Sequence, residues 1–341
     1  MAANEQTHDP GWERAAELAA PVAEAGARPI ELGHGEIRVG TASWTDPTMT
    51  AKGVFYPEGA SSAEDRLRYY ASRFSVVEVD ATYYALPQEQ MSRRWVERTP
   101  DGFRFDIKAH ALMTGQPTET KRLPKAIREA LPEEVAAKAR IYARDLPGEL
   151  QEEVWSSFRT AILPLSDSGR LGAVFLQFPR WVFPSHEARE QIREARRRLD
   201  GLQIAVEFRH NSWWNEKNAE RTMRFLEDNK IPYVAVDEPQ GFKSSVPPVA
   251  AVTSPDLAVF RFHGRNAETW EAKNITPAER FRYLYDEDEL ADWVPQIRRA
   301  SQGAAQTHVL MNNCFSNYGT TNAAQIANLL HEIEVARAGS S

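Results

Sequence analysis

The sequence predicts an α/β fold, a (β/α)8 TIM-type barrel with a helical insertion after the third strand. Eight short β-branched or aromatic runs each precede a longer segment of mixed polarity. Most of these runs are apolar on both faces, as the strands of a buried parallel sheet are. The first run ends Gly40-Thr41-Ala42-Ser43-Trp44 and carries no G-x-G-x-x-G, the phosphate fingerprint expected of the rival open doubly wound sheet.

The runs in chain order are IRVGTAS (37–43), VVEVDAT (76–82), FRFDIKA (103–109), GAVFLQF (172–178), QIAVEFR (203–209), YVAVDE (233–238), AVFRFHG (258–264) and THVLMNN (307–313). Helices are expected between them. Residues 61–73 open with Ser61-Ser62-Ala63-Glu64, a capping-box pattern, and carry Leu67, Tyr70, Ala71 and Phe74 at helical spacing. Residues 88–98, 186–199, 216–229, 288–300 and 322–337 read the same way. The stretch from Thr114 to Ser168 is too long for one crossover. It reads as an insertion or lid over about 115–168, with helical pieces near 124–144 and 149–163. Residues 239–256, with Pro239, Pro247 and Pro248, read as irregular.

Residues 1–35 are expected to form an N-terminal extension, partly disordered or with a short helix over Trp12 to Ala20 ended by Pro21, and with little function of its own. The barrel domain then spans 36–338. The final ARAGSS is expected to fray.

The chain has 341 residues, of which 42% are hydrophobic and 26% charged. That balance excludes wholesale disorder, and the length allows a large core. The net charge of −7 argues against coating nucleic acid by bulk charge, though a local basic patch stays compatible with it. Cys314 is the single cysteine, so neither an internal disulfide nor a multi-cysteine metal site can form, and a reducing cytoplasm is the expected location. No run reaches the ~18 apolar residues of a membrane span. The N-terminal residues lack the apolar core of a secretory signal.

In such a barrel the site lies at the C-terminal ends of the strands. The second run offers Glu78, Asp80, Thr82 and Tyr84 at alternate positions, expected on one strand face. The third offers Asp106, Lys108 and His110, and the fourth Gln177. The fifth offers Glu207 and Arg209, then His210 to Trp214, with Trp213 among the aromatics. The sixth offers Asp237. The seventh offers Arg261, His263 and Arg265, and the eighth Asn312 and Asn313. Ionisable residues within apolar strands are costly to bury unless paired, and here they recur at one end of several strands.

Two readings follow. In one, Glu78, Glu207 and Asp237 are no more than partners of Lys108, Arg209 and Arg261 in a structural ion-pair network. Alternatively they form a catalytic cavity, in which carboxylates with separated pKa values divide acid and base roles. A buried Lys108 could also act as base or imine-forming nucleophile. Charge pairing is the simpler role, because carboxylates are expected beside it. The arginines suit planar, bidentate recognition of carboxylate or phosphate, so a small anionic ligand is expected. Arg265, at a loop end, is the one most readily read as solvated. His110, His210 and His263 with Glu78, Glu207 and Asp237 are adequate metal-ligand types, but no local metal spacing occurs. No cofactor is expected, and a divalent metal stays open. Trp44, Tyr83, Tyr84, Trp213, Trp214 and Tyr318 follow strand ends, as stacking surfaces or as packing. Cys314 reads as a small buried hydrophobe.

Taken in order, IRVGTASWTDP, YYASRFSVVEVDATYYALP, FRFDIKAHALMT, LGAVFLQFP, VEFRHNSWW, VDEP, VFRFHGRN and VLMNNCFSNYGTTNA resemble the YecE-like family, a domain family without an assigned function. The resemblance runs from Ile37 to Leu330. It implies a TIM-type barrel with distant kinship to sugar-isomerase-like and endonuclease-like barrels, and it implies no reaction. It marks Glu78, Thr82, Tyr84, Lys108, Gln177, Glu207, Arg209, Trp213, Asp237, Arg261, His263, Gly264, Arg265, Asn312 and Asn313 as family positions. Gly115 stands where the family often has a histidine, and 115–168 matches poorly.

The functional expectation is an enzyme acting on a small anionic, sugar- or phosphate-bearing substrate. Glu78 and Glu207 share acid/base work, with Lys108 and Asp237 beside them. Lys108, Arg209 and Arg261 hold the anion. His263 and Asn312 orient it, and Arg265, Asn313, Tyr84, Trp213 and Gln177 line the site. The alternatives are a protein that binds nucleic acid or cleaves phosphodiesters, and a non-catalytic barrel scaffold. Substrate, reaction and oligomeric state are not fixed by the sequence.

Overall fold

The structure, a computed structural model, describes residues 10–19, 26–32 and 35–338. Eight parallel strands form one sheet: β1 Gly35–Thr41, β2 Val76–Val79, β3 Arg104–Lys108, β4 Leu171–Gln177, β5 Ile204–Glu207, β6 Val234–Asp237, β7 Leu257–Phe262 and β8 Gln306–Met311. Their order is β5-β4-β3-β2-β1-β8-β7-β6. The ends approach through a parallel bridge between Val206 and Tyr233, with the Val206 amide donating to the Pro232 carbonyl at 2.9 Å. The result is a nearly closed TIM-type barrel surrounded by helices, as the run pattern predicts.

The helices follow the expected apolar spacing with small shifts at their ends. Helix Ala63–Ala71 is capped by Ser62, whose Oγ accepts from the Asp65 amide at 3.0 Å while Asp65 Oδ2 accepts from the Ser62 amide at 3.2 Å. The capping box therefore sits one residue later than the Ser61–Glu64 reading. Segment 288–300 divides into Glu287–Ala291 and Val294–Gly303, because Pro295 starts a second helix rather than continuing the first. Residues 239–256 are irregular, as expected.

Two expectations need correction. In 115–168, the long helix Gly148–Asp167 buries Val154, Phe158, Ile162 and Leu165 and packs against helix Glu89–Glu97, so it is the ordinary outer helix between β3 and β4. The excursion proper is 115–147. Its expected helix over 124–144 is broken by Pro132 into Lys125–Glu129 and Glu133–Ala136, and Arg140–Ile141 then pairs antiparallel with Thr118–Glu119. Second, the N-terminal segment is built into the barrel. Strand Ile30–Leu32 pairs antiparallel with Gly35–Ile37, burying Ile30 and Leu32. Helix Pro10–Ala19 packs on helix Tyr318–Ala338, where Thr321 Oγ1 donates to the Ala15 carbonyl at 3.1 Å. Ala20, Pro21 and Gly339 to Ser341 lie outside the described residues, and helix Tyr318–Ala338 runs through part of the segment expected to fray. Among the described residues no helix is long and apolar enough to cross a membrane.

The N-terminal end of the barrel interior is closed by a buried pair. His308 on β8 contacts Asp106 on β3, Nδ1 to Oδ2 at 2.8 Å. Gly172 on β4 lies against it, and a β-carbon there would stand 2.3 Å from Asp106 Oδ1. Asp106 is thus part of the floor and Lys108, two residues on, belongs to the mouth.

Candidate functional site

The mouth is organised around Arg261 on β7, which is 3% exposed. Its Nε and Nη2 donate to Glu78 on β2 at 2.7 and 2.8 Å. Nη1 donates to Glu207 Oε2 on β5 at 2.9 Å, and Nη2 also reaches Asn312 Oδ1 at 3.2 Å. Three strands that are distant in sequence are tied across the barrel interior by one guanidinium.

Arg209, just beyond β5, forms a second layer. Its Nη1 donates to Glu207 Oε1 and to Glu238 Oε2, both at 3.1 Å. Its Nε and Nη2 have no protein acceptor among the described residues, and its guanidinium lies 4.9 Å from the centroid of the Trp270 ring. Gln177 at the end of β4 donates to Glu207 Oε1 at 3.1 Å. His263 fills the space behind: Nδ1 meets Asn312 Nδ2 at 2.8 Å, and Nε2 stands 2.8 Å from Arg209 Nη1 and 3.3 Å from Glu207 Oε1. Asn312 Nδ2 and Arg209 Nη1 can only donate, so each ring nitrogen of His263 faces a donor.

These contacts separate the titrating groups. Burial raises Glu207, but Arg261, then His263 and Arg209, outweigh it and hold the carboxyl well below the usual range. Burial also raises Glu78, against the pull of Arg261. Burial pushes Glu238 up to about 8, opposed by Arg209 and the Val246 amide and reinforced by Glu207. Burial, with Arg209 repelling a second charge, lowers His263 to about 3.

Lys108 at the end of β3 is half-buried. Its Nζ faces the Tyr83 ring, 4.9 Å from the centroid, and has no hydrogen-bond acceptor or ion-pair partner among the described residues. The turn after β2 is pinned beside it by the Thr82 hydroxyl, between the carbonyl oxygens of Val79 at 3.0 Å and Lys108 at 2.6 Å.

Above the cluster opens a cleft of ≈ 540 Å³, lined by Gln177, Arg209 and Trp270 together with Arg180, Trp181, Lys273 and Arg280. Gln116 and Trp181 connect it to a smaller cleft of ≈ 320 Å³ that contains Tyr83, Tyr84, Arg122 and Arg140.

The structure brings Glu78, Glu207, Arg209, Arg261, His263, Asn312 and Gln177 together as expected, sets Lys108 beside them, and places Asp237, Arg265, Asn313, Trp213 and Tyr84 elsewhere. Asp237 points to the outer face of the sheet. It accepts from Arg265 at 2.7 Å, the Tyr285 hydroxyl at 2.8 Å and Trp293 Nε1 at 2.8 Å, and these bonds hold the helical layer on β6 and β7. The interior residue at this strand end is Glu238. Arg265 is committed to Asp237 and Glu289. Asn313 is a buried strut, donating to the Tyr283 carbonyl at 2.8 Å and Asn322 Oδ1 at 2.7 Å. Trp213 is core: it stacks on Phe208 at 3.9 Å and donates to the Val182 carbonyl at 2.9 Å. Strand β2 stops at Val79 and Ala81–Tyr84 is a helical turn, so Asp80, Thr82 and Tyr84 do not continue the face of Glu78, and Tyr84 is 43% exposed in the smaller cleft. Among the described residues no group of three or more His, Cys, Asp or Glu is placed to hold a metal ion. His110 is buried in its own pocket of packing, where burial lowers it to about 4, and His210 bonds Ser212 Oγ at 2.8 Å. Cys314 is half-buried and its thiol is pushed up by burial.

Glu238, Trp181 and Trp270 were not singled out from the sequence as site residues. Glu238 directly follows Asp237 in VDEP, and Trp181 follows the fourth run in LQFPRW, so reading past each strand end would have reached both.

Fold and site together define a TIM-type barrel protein with a paired-charge cluster under a cationic cleft. The chain belongs to the family described as "Protein of unknown function DUF72", whose model matches residues 38–340. It is similar to the UPF0759 protein YunF of Bacillus subtilis, with 28% identity over 298 residues covering 86% of this chain and 94% of YunF. It is also similar to the UPF0759 protein YecE of Escherichia coli, 35% identical over 80 residues covering 24% of this chain and 26% of YecE. Among solved structures, a DUF72 family protein of Enterococcus faecalis matches with a TM-score of 0.68 and 29% identity, over 86% of this chain and 95% of that one. One of Thermotoga maritima matches with a TM-score of 0.67 and 30% identity, over 86% and 99%.

Proposed function

We propose that the protein is an enzyme acting on a small anionic, sugar- or phosphate-bearing substrate at the C-terminal mouth of the barrel. The observation that carries this reading is the outer edge of Arg209. Three of its five N–H groups lack a protein acceptor among the described residues, the guanidinium lies 4.9 Å from the centroid of the Trp270 ring, and it lines a cleft shared with Arg180 and Lys273. A planar fork with vacant donors fits a carboxylate or a phosphate. Arg261 has its donors spent on Glu78, Glu207 and Asn312, so its role is to position the carboxylates rather than to touch the ligand.

The acid/base pair is Glu207 and Glu238. Both reach Arg209 Nη1, and their surroundings push their pKa values apart, leaving Glu207 ionised and Glu238 with its proton near neutral pH. Glu78 supports the pair through Arg261.

A second reading, single-stranded nucleic acid, is favoured by Tyr84, Trp181 and Phe183, exposed by 43%, 49% and 53% around the same mouth. A non-catalytic scaffold would instead have its mouth filled by side chains.

The test is a thermal-shift screen with sugar phosphates, carboxylates, nucleotides, short single-stranded oligonucleotides, and divalent metals with and without chelator. Ligand at a hundred times its dissociation constant stabilises by about 2.7 kcal/mol, which moves the midpoint by degrees. A shift with one small-anion class that is lost in Arg209→Ala supports the enzyme reading. A shift only with oligonucleotides, falling steeply with salt, moves the assignment to the second reading. No shift with any small anion overturns the first.

A further inference from the structure

We propose that Lys108 is an imine-forming amine, and that the anionic ligand of this mouth carries an aldehyde or ketone. The inference rests on the anion-site reading for the ligand's charge, but not for the amine.

The observation is an imbalance of pairing. Arg209, Arg261, Glu78 and Glu207 all lie in ion pairs. Among the described residues Lys108, on the neighbouring strand end, lies in none, although a lysine beside several carboxylates would be expected to take one. The cause is geometric. Arg261 holds both oxygens of Glu78 and one of Glu207, while Gln177 and Arg209 hold the other. The Lys108 ammonium is left against the Tyr83 ring, and that ring lines the smaller cleft.

An ammonium that is partly desolvated, unpaired and next to a fixed guanidinium loses its proton more readily than one in water. Burial, then the charge of Arg261, hold Lys108 below the ordinary lysine range. Glu78, Glu207 and Asp80 pull the other way. Those four, with Tyr83, are the titratable and charged groups that face it. An arginine could not serve here, since it does not give up its proton, and its fork would compete for the carboxylates.

In the step itself, the neutral Nζ lone pair forms a bond to the carbonyl carbon. The carbonyl oxygen takes up the two protons that Nζ loses and leaves as water, giving a C=N bond with no change of oxidation state. Hydrolysis reverses it. The ligand's anionic end would lie on the vacant edge of Arg209.

The test traps the imine. The full-length protein is treated with glycolaldehyde phosphate, and separately with neutral glycolaldehyde, in the presence of cyanoborohydride, which reduces the C=N bond to a stable amine. Modified lysines are then located and quantified by peptide mass spectrometry. Lys108 should be labelled at least about tenfold faster than the other lysines near neutral pH, because each tenfold gain in free amine gives a comparable gain in attack. Lys108→Met, which removes the amine without bringing a fork to the carboxylates, should leave the labelling of the surface lysines unchanged. Arg209→Ala should reduce the preference for the phosphorylated aldehyde while Lys108 still reacts with glycolaldehyde. If that preference is absent in the parent protein but Lys108 is still labelled selectively, the anion reading fails and the imine proposal stands. If Lys108 reacts no faster than the surface lysines with either aldehyde, the imine proposal is overturned, whatever the thermal-shift screen shows.

Discussion

Arg261 on β7 grips Glu78 on β2 through two parallel bonds of 2.7 and 2.8 Å across the interior of the barrel. The two residues are 183 positions apart in the chain, and both are almost wholly shut off from water. Truncating one partner of such a pair leaves a buried charge with nothing to balance it, at a cost of about 3–5 kcal/mol. Arg261→Met should cost that much in urea unfolding, since it strands Glu78 and one oxygen of Glu207. Glu78→Met combined with Arg261→Met should cost less than the sum of the single changes, since neither charge of that pair then remains. Additive losses would show that the pair is not coupled.

The same pair shows why much of the site was legible. Glu78, Glu207 and Arg261 each interrupt an otherwise apolar run near its C-terminal end, and a barrel sends those ends to one place. The choice between Asp237 and Glu238 was not legible. All four residues of β6 are buried, so alternation carries no phase information there, and a phase error of one residue exchanges inside for outside. Tyr84 was misplaced for a related reason. VVEVDAT reads as one extended run, yet the chain turns after Val79, with the Thr82 hydroxyl folded back onto two carbonyls. Trp213 looked like a rim residue because it follows a strand end, but its stacking on Phe208 puts it in the core.

Arg209→Lys tests the shape of the anion site rather than its charge. A lysine keeps one positive charge but has no planar fork to bind an oxyanion through two donors while still holding Glu207 and Glu238. Affinity for the phosphate or carboxylate ligand found in the screen should fall by about tenfold or more, the size of one charge-assisted hydrogen bond. Titration calorimetry on the two proteins measures this. Equal affinities would mean that bulk charge, not the fork, holds the ligand.

The floor of the barrel makes a separate prediction about stability. At Gly172 a β-carbon would lie 2.3 Å from Asp106 Oδ1 and 2.8 Å from His308 Cε1, two groups fixed to each other and fully buried. Neither can retreat without breaking their bond or pressing on the strands. Gly172→Ala should therefore destabilise by about 1–3 kcal/mol, the usual cost of overpacking, and not gain the small entropic benefit that alanine brings elsewhere. Ligand binding at the mouth should be unaffected in the folded variant. A thermal midpoint at or above that of the parent protein would show that the floor is looser than these distances imply.

Glu238 gives the protein a pH dependence with a definite sign. Its carboxyl titrates near 4.5 in an unfolded chain and is pushed up to about 8 here, first by burial and then by Glu207 and Asp237, with Arg209 and the Val246 amide opposing. Between those values the folded protein holds a proton that the unfolded chain has released. Raising the pH through this window therefore favours unfolding, and this contribution to stability is lost as the pH passes through about 8. Glu238→Gln cannot ionise, so it lacks this loss, although its amide NH2 faces the Arg209 donor less favourably than a carboxyl does. Its thermal midpoint should start below that of the parent protein at about pH 6 and close the gap or cross it by about pH 9. Parallel curves across that range would mean that Glu238 is already ionised in the folded protein, and Glu207 and Glu238 could not then divide the acid and base roles.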